Sequence, residues 1–171
     1  MIHLNIGSNL DSKHGSRFDN IYLAINLLIN KKIKIKKISN FYETPSYPNQ
    51  NFPKYLNVGL IIDYEDNYMT LLNCIKIIEK KLGRVKAKKN DPRIIDIDIV
   101  DFNNRIKKTD KLTLPHPKCH LRNFVLFPIL QIDPNWSHPI LKQNAQFLIN
   151  KLNQKSRIEI TRLKKNVNIL L

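Results

Sequence analysis

One short segment, Arg-Ile-Ile-Asp-Ile-Asp-Ile at positions 93–99, restricts the fold of this chain more than any other. Residues two apart on a β-strand point to the same face, so the alternate isoleucines are predicted to enter a core. Asp96 and Asp98 then point together to the opposite face. Apolar residues make up 42% of the 171 positions, which is enough to bury such a core, so intrinsic disorder is excluded.

The remaining hydrophobic patterns alternate between strand and helix periods. They predict strands at 1–6, 33–41, 55–64 and 94–100. They predict helices at 18–29, begun by a capping-box pair of Ser16 and Asp19, and at 68–82, ended by Gly83. Three prolines make 44–53 a loop. Beyond residue 120 we predict a helix from 121 to about Pro128, a short helix within 142–153 and a closing strand at 157–163.

The order strand–helix–strand–strand–helix–strand is the split βαβ pattern of ferredoxin-like domains. We therefore predict an α+β fold with a ferredoxin-like βαββαβ core and additional C-terminal helices and strands. The elements are expected to form three αβα layers in a single domain over residues 1–171.

The chain is strongly basic, with 29 Lys and Arg residues, 14 Asp and Glu residues and a net charge of +15. A nucleic-acid surface would explain this charge, but the lysines are spread along the chain and no recognition motif accompanies them. No apolar stretch is long enough for a membrane span, and no secretion signal is visible. With two cysteines, Cys74 and Cys119, the composition suits a reducing compartment. We expect a cytoplasmic protein that binds neither nucleic acid nor membrane.

Asp96 and Asp98 are the clearest candidates for chemistry. Two like charges so close repel each other unless a cation lies between them. Carboxylate oxygens in this arrangement suit Mg²⁺, which prefers one or two carboxylates together with substrate phosphates. The solvated face of an edge strand explains the same pattern, and the pattern alone favours neither interpretation.

Arginine and histidine provide further candidates. The chain has seven arginines against 22 lysines, yet Arg84, Arg93 and Arg122 lie close in sequence to other candidate residues. The planar arginine fork binds phosphate in a bidentate manner that lysine cannot reproduce. His116 lies between two prolines and could contact a phosphate or carry a proton, although a turn is the commoner explanation of this spacing.

Several standard motifs are absent from the sequence. His116, Cys119 and His120 lie close together, but their spacing is not that of a standard zinc site. The Walker A, G-x-G-x-x-G, H-E-x-x-H and G-x-S-x-G patterns do not occur. A nucleotide would therefore be held by some other arrangement.

Five sequence blocks follow one another in a distinctive order. They are Ile-Gly-Ser-Asn-Leu at 6–10, Ser-Asn-Phe-Tyr-Glu-Thr-Pro at 39–45 with Tyr-Leu-Asn at 55–57, Glu-Lys-Lys-Leu-Gly-Arg at 79–84 with Pro-Arg-Ile-Ile-Asp-Ile-Asp-Ile at 92–99, Leu-Pro-His-Pro at 114–117 and Arg-Asn-Phe-Val-Leu at 122–126. In this order they resemble the 6-hydroxymethyl-7,8-dihydropterin pyrophosphokinase family over nearly the whole chain. The resemblance implies transfer of the terminal pyrophosphate of ATP to the hydroxymethyl group of the dihydropterin in folate biosynthesis, leaving AMP.

The resemblance also implies roles for the matching residues. Asp96 and Asp98 would hold two Mg²⁺ ions that bridge the ATP phosphates and the attacking hydroxyl. Arg84 and Arg93 would contact the phosphates and, with Asp98, serve catalysis. The other nucleotide contacts would come from Glu79, Ile99, Lys111, Thr113, His116 and Arg122. The dihydropterin would be bound by Thr44, Pro45, Tyr55, Asn57 and Phe124, with the ring held between the two aromatic side chains.

One segment departs from the family pattern. The loop between Arg84 and Arg93 usually carries a second arginine and a tryptophan, whereas here it is one residue shorter and has no tryptophan. Lys86 stands in the place of the arginine, and Asp91 stands where glycine is common. Our hypothesis is that this lid closes less tightly and lowers turnover more than pterin affinity.

Two other functions are open at this point. An RNA-binding module on a ferredoxin-like sheet would need exposed aromatic residues on its central strands, whereas Asp96 and Asp98 occupy the corresponding strand. An inactive relative kept as a scaffold would not need the full set of matching Asp, Arg and Asn residues. We expect a monomer and, because the chain ends soon after its last predicted strand, no fused downstream folate enzyme.

Overall fold

The computed structural model describes residues 1–85 and 91–165. The strands are β1 (Ile2–Ser8), β2 (Lys34–Ile38), β3 (Tyr42–Thr44), β4 (Tyr55–Asp63), β5 (Asp96–Phe102), β6 (Lys107–Lys108), β7 (Thr113–Leu114) and β8 (Thr161–Arg162). The helices are α1 (Arg17–Asn30), α2 (Tyr68–Lys81), α3 (Asn123–Ile132), α4 (Ala145–Lys151) and α5 (Gln154–Ile158), with a 3₁₀ turn at Cys119–Leu121. The combination of helices with an antiparallel sheet confirms the predicted α+β class. No helix within the described ranges is long and apolar enough to cross a membrane.

The main sheet has six strands, in the order β5-β1-β4-β3-β8 with β2 also paired to β4. β1 lies between β4 and β5 and is antiparallel to both. The register places Gly7 of β1 opposite Asp96 and Asn5 opposite Asp98, so these four residues share one face of the sheet. The strands β6 and β7 pair separately as a two-stranded sheet.

One face of the main sheet packs against α1 and α2. The contact encloses the first hydrophobic core, in which Ile95, Ile97 and Ile99 are at most 3% exposed, as the alternation predicts. The predicted capping box at the start of α1 is present, because the Ser16 side chain accepts from the Asp19 N–H and Asp19 accepts from the Ser16 N–H. Gly83 follows α2 with a φ of +91°, which glycine adopts without steric cost.

The opposite face of the sheet packs against α3. A Cβ on Gly59 of β4 would lie 2.7 Å from the Pro128 Cβ, so the missing side chain allows α3 to approach. The neighbours Val58 and Leu60 belong to the first core, which places α3 on the other side of the sheet. A second core joins α3 to α4. The molecule therefore has a helix layer on each face of its sheet.

Three local predictions were wrong. The helix α3 does not end near Pro128 but continues to Ile132, because packing of the proline above Gly59 offsets the lost backbone hydrogen bond. The strand predicted at 33–41 is divided into β2 and β3, which pair with successive parts of β4. The strand predicted at 157–163 is reduced to β8, because α5 begins after the Asn153 cap and extends to Ile158.

Candidate active site

Asp96 and Asp98 face a cavity of about 700 Å³ on the α3 side of the sheet. The predicted site residues that line this cavity are Thr44, Pro45, Tyr55, Asn57, Arg93, Asp96, Asp98, Arg122 and Phe124. The residues expected to bind a flat ring therefore lie around one space together with Arg93 and Arg122, whereas Arg84 and His116 do not line it. Its volume is within the range of small-molecule sites.

Two arginines hold the Asp96 carboxylate. Arg84 Nη1 lies 2.7 Å from Oδ1, and Arg93 Nη1 lies 3.1 Å from Oδ2. The Arg93 backbone N–H donates to Asn9 Oδ1 at 2.7 Å, which fixes the chain where it enters β5. Each guanidinium has five N–H donors, more than the carboxylate uses, and can also bind a phosphate.

Asp98 pairs with Arg122, which follows the 3₁₀ turn, and lies near His116. Arg122 Nη1 lies 3.3 Å from Asp98 Oδ2, and His116 Nε2 lies 3.9 Å from the same oxygen. Burial and the nearby Asp96 charge raise the pKa of Asp98 to about 6. Burial and the Arg122 charge lower the pKa of His116 to about 4, so the imidazole is neutral at pH 7. The negative charge of Asp98 is thus incompletely compensated by its protein neighbours.

Glu79 is a buried residue that contacts the β5 backbone and Arg84. Its side chain accepts from the Ile97 N–H at 2.9 Å and from Lys76 Nζ at 2.9 Å, and it also pairs with Arg84. The residue is 2% exposed and does not line the cavity. This position differs from the predicted nucleotide contact, because a carboxylate enclosed by three donors has no surface to offer a ligand. Glu79 instead positions Arg84 against Asp96.

Four other predicted nucleotide contacts do not line the cavity: Ile99, Lys111, Thr113 and His116. The Ile99 side chain is 3% exposed and belongs to the first core. Thr113 lies on β7 and Lys111 precedes it as an exposed residue. The His116 N–H donates to the Val100 carbonyl at 2.8 Å, so this segment runs beside the edge strand β5. The structure therefore places these residues along the sheet edge rather than around the main cavity.

The ring-binding side of the cavity joins β3 and β4 to the first turn of α3. Asn57 Nδ2 donates to Thr44 Oγ1 at 3.4 Å. A Cβ on Gly7 would lie 3.0 Å from Asn57 Oδ1, so this glycine leaves room for the amide. Phe124 lies under the Arg122 guanidinium, 5.4 Å from carbon to ring centroid. Aromatic surface beside an amide suits a flat ring with hydrogen-bonding groups at its edge.

The C-terminal helix α5 provides a cavity wall that was not predicted. The lining residues from α5 and its flanks are Asn153, Lys155, Ser156 and Glu159. Asn123 Nδ2 donates to the Ser156 carbonyl at 2.6 Å and connects this wall to the start of α3. A five-residue helix has no apolar periodicity to detect. The capping spacing of Asn153 and Ser156 is the sequence signal that could have revealed it.

The predicted lid is mostly beyond the described ranges. Lys86 and the shortened segment fall within 86–90, so the prediction that the lid closes less tightly lies outside the described residues. At its C-terminal end, the Asp91 carbonyl accepts from Arg93 Nε at 3.3 Å and from the Tyr55 hydroxyl at 3.4 Å. Asp91 therefore connects Tyr55 to Arg93 across this part of the cavity.

An α+β domain whose cavity joins paired aspartates and arginines to an aromatic-lined pocket is typical of an enzyme that transfers a phosphate-containing group to a ring-bearing substrate. Residues 3–134 match the model of the 7,8-dihydro-6-hydroxymethylpterin-pyrophosphokinase (HPPK) family. The chain belongs to this family.

The similar curated proteins include one that the chain covers for most of its length and two that are much longer. The 2-amino-4-hydroxy-6-hydroxymethyldihydropteridine pyrophosphokinase of Aquifex aeolicus is 36% identical over 83% of this chain and 86% of its own length. The folic acid synthesis protein FOL1 of Dictyostelium discoideum is 38% identical over 82% of this chain but 21% of its own length. The corresponding protein of Schizosaccharomyces pombe is 32% identical over 88% of this chain and 20% of its own length. The chain therefore spans about a fifth of these two longer relatives.

Solved structures with the same fold include the Plasmodium falciparum HPPK-DHPS protein. The wild-type structure with pteroate aligns with a TM-score of 0.70 over 94% of this chain and 47% of that chain. The sequence identity is 16%. This similarity therefore concerns the fold.

Proposed function

We propose that this chain transfers pyrophosphate from ATP to 6-hydroxymethyl-7,8-dihydropterin in folate biosynthesis, giving AMP and the dihydropterin diphosphate. The hydroxymethyl oxygen forms a bond to the β-phosphorus of ATP. The bond from that phosphorus to the oxygen shared with the α-phosphate breaks, and the hydroxyl proton is released to solvent. The observation that carries the proposal is one cavity lined by both ring-binding and phosphate-binding side chains, in a chain that belongs to the HPPK family.

The dihydropterin is expected at the end of the cavity lined by Tyr55, Asn57 and Phe124. The two aromatic side chains provide stacking surface, and the Asn57 amide provides both a donor and an acceptor. Thr44 and Pro45 complete the wall beside the ring. The ATP phosphates are then expected beside the arginines and the two aspartates.

Asp96 and Asp98 fit the two Mg²⁺ ions of the proposed reaction. Both carboxylates line the cavity from one strand face, and carboxylate oxygen is the ligand type that Mg²⁺ prefers. The pKa of Asp98 is raised because burial and the Asp96 charge disfavour its ionised form, and a divalent cation would compensate that negative charge. When bound, the ions would neutralise phosphate charge and polarise the reacting phosphorus.

The basic residues orient the triphosphate and stabilise the charge that develops on it. Arg84 and Arg93 are held in place by Asp96, and Arg84 also by Glu79, so their donors are preorganised. Arg122 and the neutral His116 lie beside Asp98, where they can contact further phosphate oxygens. We assign Lys111 and Thr113 to the adenosine end, along the edge of β5, where Ile99 would contribute its backbone because its side chain is buried.

The core of the fold is also proposed to be ferredoxin-like, within one domain over residues 1–171. The strand order β5-β1-β4-β2, with α1 and α2 on one face, supports this proposal. Without the short strand β3, the element order is the βαββαβ pattern of that fold.

A product assay tests the proposed reaction. The protein is mixed with Mg-ATP and 6-hydroxymethyl-7,8-dihydropterin, and the nucleotide product is identified by chromatography. AMP that requires both the pterin and Mg²⁺ is the expected result. The 6-methyl dihydropterin, which lacks the attacking hydroxyl, is the matched control and is expected to yield no AMP. Release of ADP, or of AMP without pterin, would contradict the proposal.

A further inference from the structure

Asn5 lies on the floor of the cavity at the centre of the sheet. In β1 it pairs with Asp98 on one side and with Gly59 on the other. The residue lines the cavity and is 5% exposed. Its neighbours Leu4 and Ile6 point to the other face and are buried in the first core. A polar side chain therefore occupies a position enclosed by strands on both sides.

The Asn5 carboxamide has unused hydrogen-bonding capacity. Its Oδ1 is buried and has no hydrogen-bond partner among residues 1–85 and 91–165. Buried polar atoms in native proteins are nearly always paired, because an unmade hydrogen bond destabilises the folded state. Rotation of the amide exchanges its oxygen and nitrogen, so the group can present an acceptor to the cavity. Because the residue lines the cavity, this unused capacity is available to a polar group of a bound ligand.

The neighbours of Asn5 restrict which ligand donor can reach it. Asp98, on the phosphate side, is directly opposite on β5, whereas Asn57, on the ring side, is diagonal to it on β4. Phosphate oxygens at neutral pH are acceptors and cannot satisfy the Asn5 oxygen. The donor that lies between ring and phosphates in the proposed reaction is the hydroxyl of the hydroxymethyl arm.

We propose that Asn5 is a further substrate-binding residue, whose carboxamide accepts a hydrogen bond from the hydroxymethyl group of the bound pterin. The inference rests on the proposed function and identifies a contact beyond the ring pocket. Asn5 selects for a pterin with a hydroxyl on this arm. It also holds the oxygen of that hydroxyl beside the site where Asp98 and the phosphates meet.

Pterin binding without turnover tests this role. Dissociation constants of 6-hydroxymethylpterin and 6-methylpterin are measured by titration calorimetry with Mg²⁺ and a non-hydrolysable ATP analogue, for the wild type and Asn5→Ala. The variant is expected to bind the hydroxymethyl ligand about 10-fold more weakly and the methyl ligand within about 2-fold of the wild type. Asn73→Ala, the same substitution at an exposed position on α2, is expected to change neither constant.

The outcomes separate the possible explanations. If Asn5→Ala weakens the binding of both ligands equally, Asn5 supports only the structure of the pocket and the proposal is overturned. The proposal is also overturned if neither dissociation constant changes. If Asn5→Ala does not fold, Asn5→Ser, which keeps a hydroxyl acceptor, is expected to retain preference for the hydroxymethyl ligand; equal affinity for the two ligands would overturn the proposal. A wild-type protein that binds neither pterin would contradict the proposed function itself, and this inference with it.

Discussion

Replacing Asp98 by asparagine should abolish activity and stabilise the ligand-free protein. Asp98→Asn keeps the shape of the side chain and removes the charge that is expected to bind Mg²⁺. We expect turnover to fall more than about 100-fold, because both metal binding and phosphate charge compensation depend on that carboxylate. The variant should remain folded, because the negative charge of Asp98 is unfavourable in its buried position beside Asp96.

The gain in stability follows from the raised pKa of Asp98. A carboxyl whose folded-state pKa is raised stabilises the fold below its unfolded pKa and loses that contribution as the pH rises through the folded value. For Asp98 this window runs from the ordinary 3.8 to about 6. At 1.36 kcal/mol per pKa unit, the difference corresponds to at most about 3 kcal/mol. Because the side chain is 28% exposed and Arg122 loses its partner in the variant, we expect about 1 kcal/mol.

Urea unfolding in EDTA measures this gain, and the AMP assay measures turnover. The free energy of unfolding of Asp98→Asn should exceed that of the wild type by about 1 kcal/mol at pH 7.5 and by less at pH 4.5. Asp63→Asn is the matched control, because Asp63 ends β4 as a 53% exposed side chain, 3.6 Å from Lys36 Nζ. It should change stability by less than about 0.5 kcal/mol and leave turnover intact. Retained turnover in Asp98→Asn, or a stability no higher than wild type at pH 7.5, would refute this reasoning.

Three further predictions concern the ring pocket, the support of Arg84 and the packing of α3. Tyr55→Ala should weaken pterin binding about 10-fold and leave the affinity for the ATP analogue unchanged; unaltered pterin affinity would remove Tyr55 from the pocket. Glu79→Gln should lower kcat about 10-fold with little change in the pterin KM, because Arg84 loses its charged anchor, and an unchanged kcat would argue against that positioning role. Gly59→Ala should lower the free energy of unfolding by about 1–3 kcal/mol, because its Cβ would lie 2.7 Å from Pro128; an unchanged urea midpoint would contradict the packing account.

The strand that carries the two aspartates was predictable because strand periodicity depends on the backbone alone. The alternation of isoleucine and aspartate in β5 correctly predicted which residues enter the core and which face the opposite side. The capping box at Ser16 and the Gly83 helix end were predictable for the same reason, since each depends on a few consecutive residues.

Features that depend on neighbours distant in sequence were not predictable in this way. Glu79 lies on the buried stripe of α2, four residues after Ile75, and that spacing could have indicated its burial. Its binding to the Ile97 N–H and to Arg84 depends on how α2 packs beside β5. The lining role of α5 likewise depends on the contact between Asn123 and Ser156, for which no local pattern exists.

The central claim is that Asp96 and Asp98 bind the divalent cations that hold the ATP phosphates. A crystal structure with Mg²⁺, a non-hydrolysable ATP analogue and 6-hydroxymethylpterin tests this claim most directly. Our account predicts Mg²⁺ about 2.0–2.1 Å from carboxylate oxygens of both residues, with phosphate oxygens completing the coordination. Cations bound elsewhere, with both carboxylates still held by their arginines and the nucleotide outside this cavity, would contradict it.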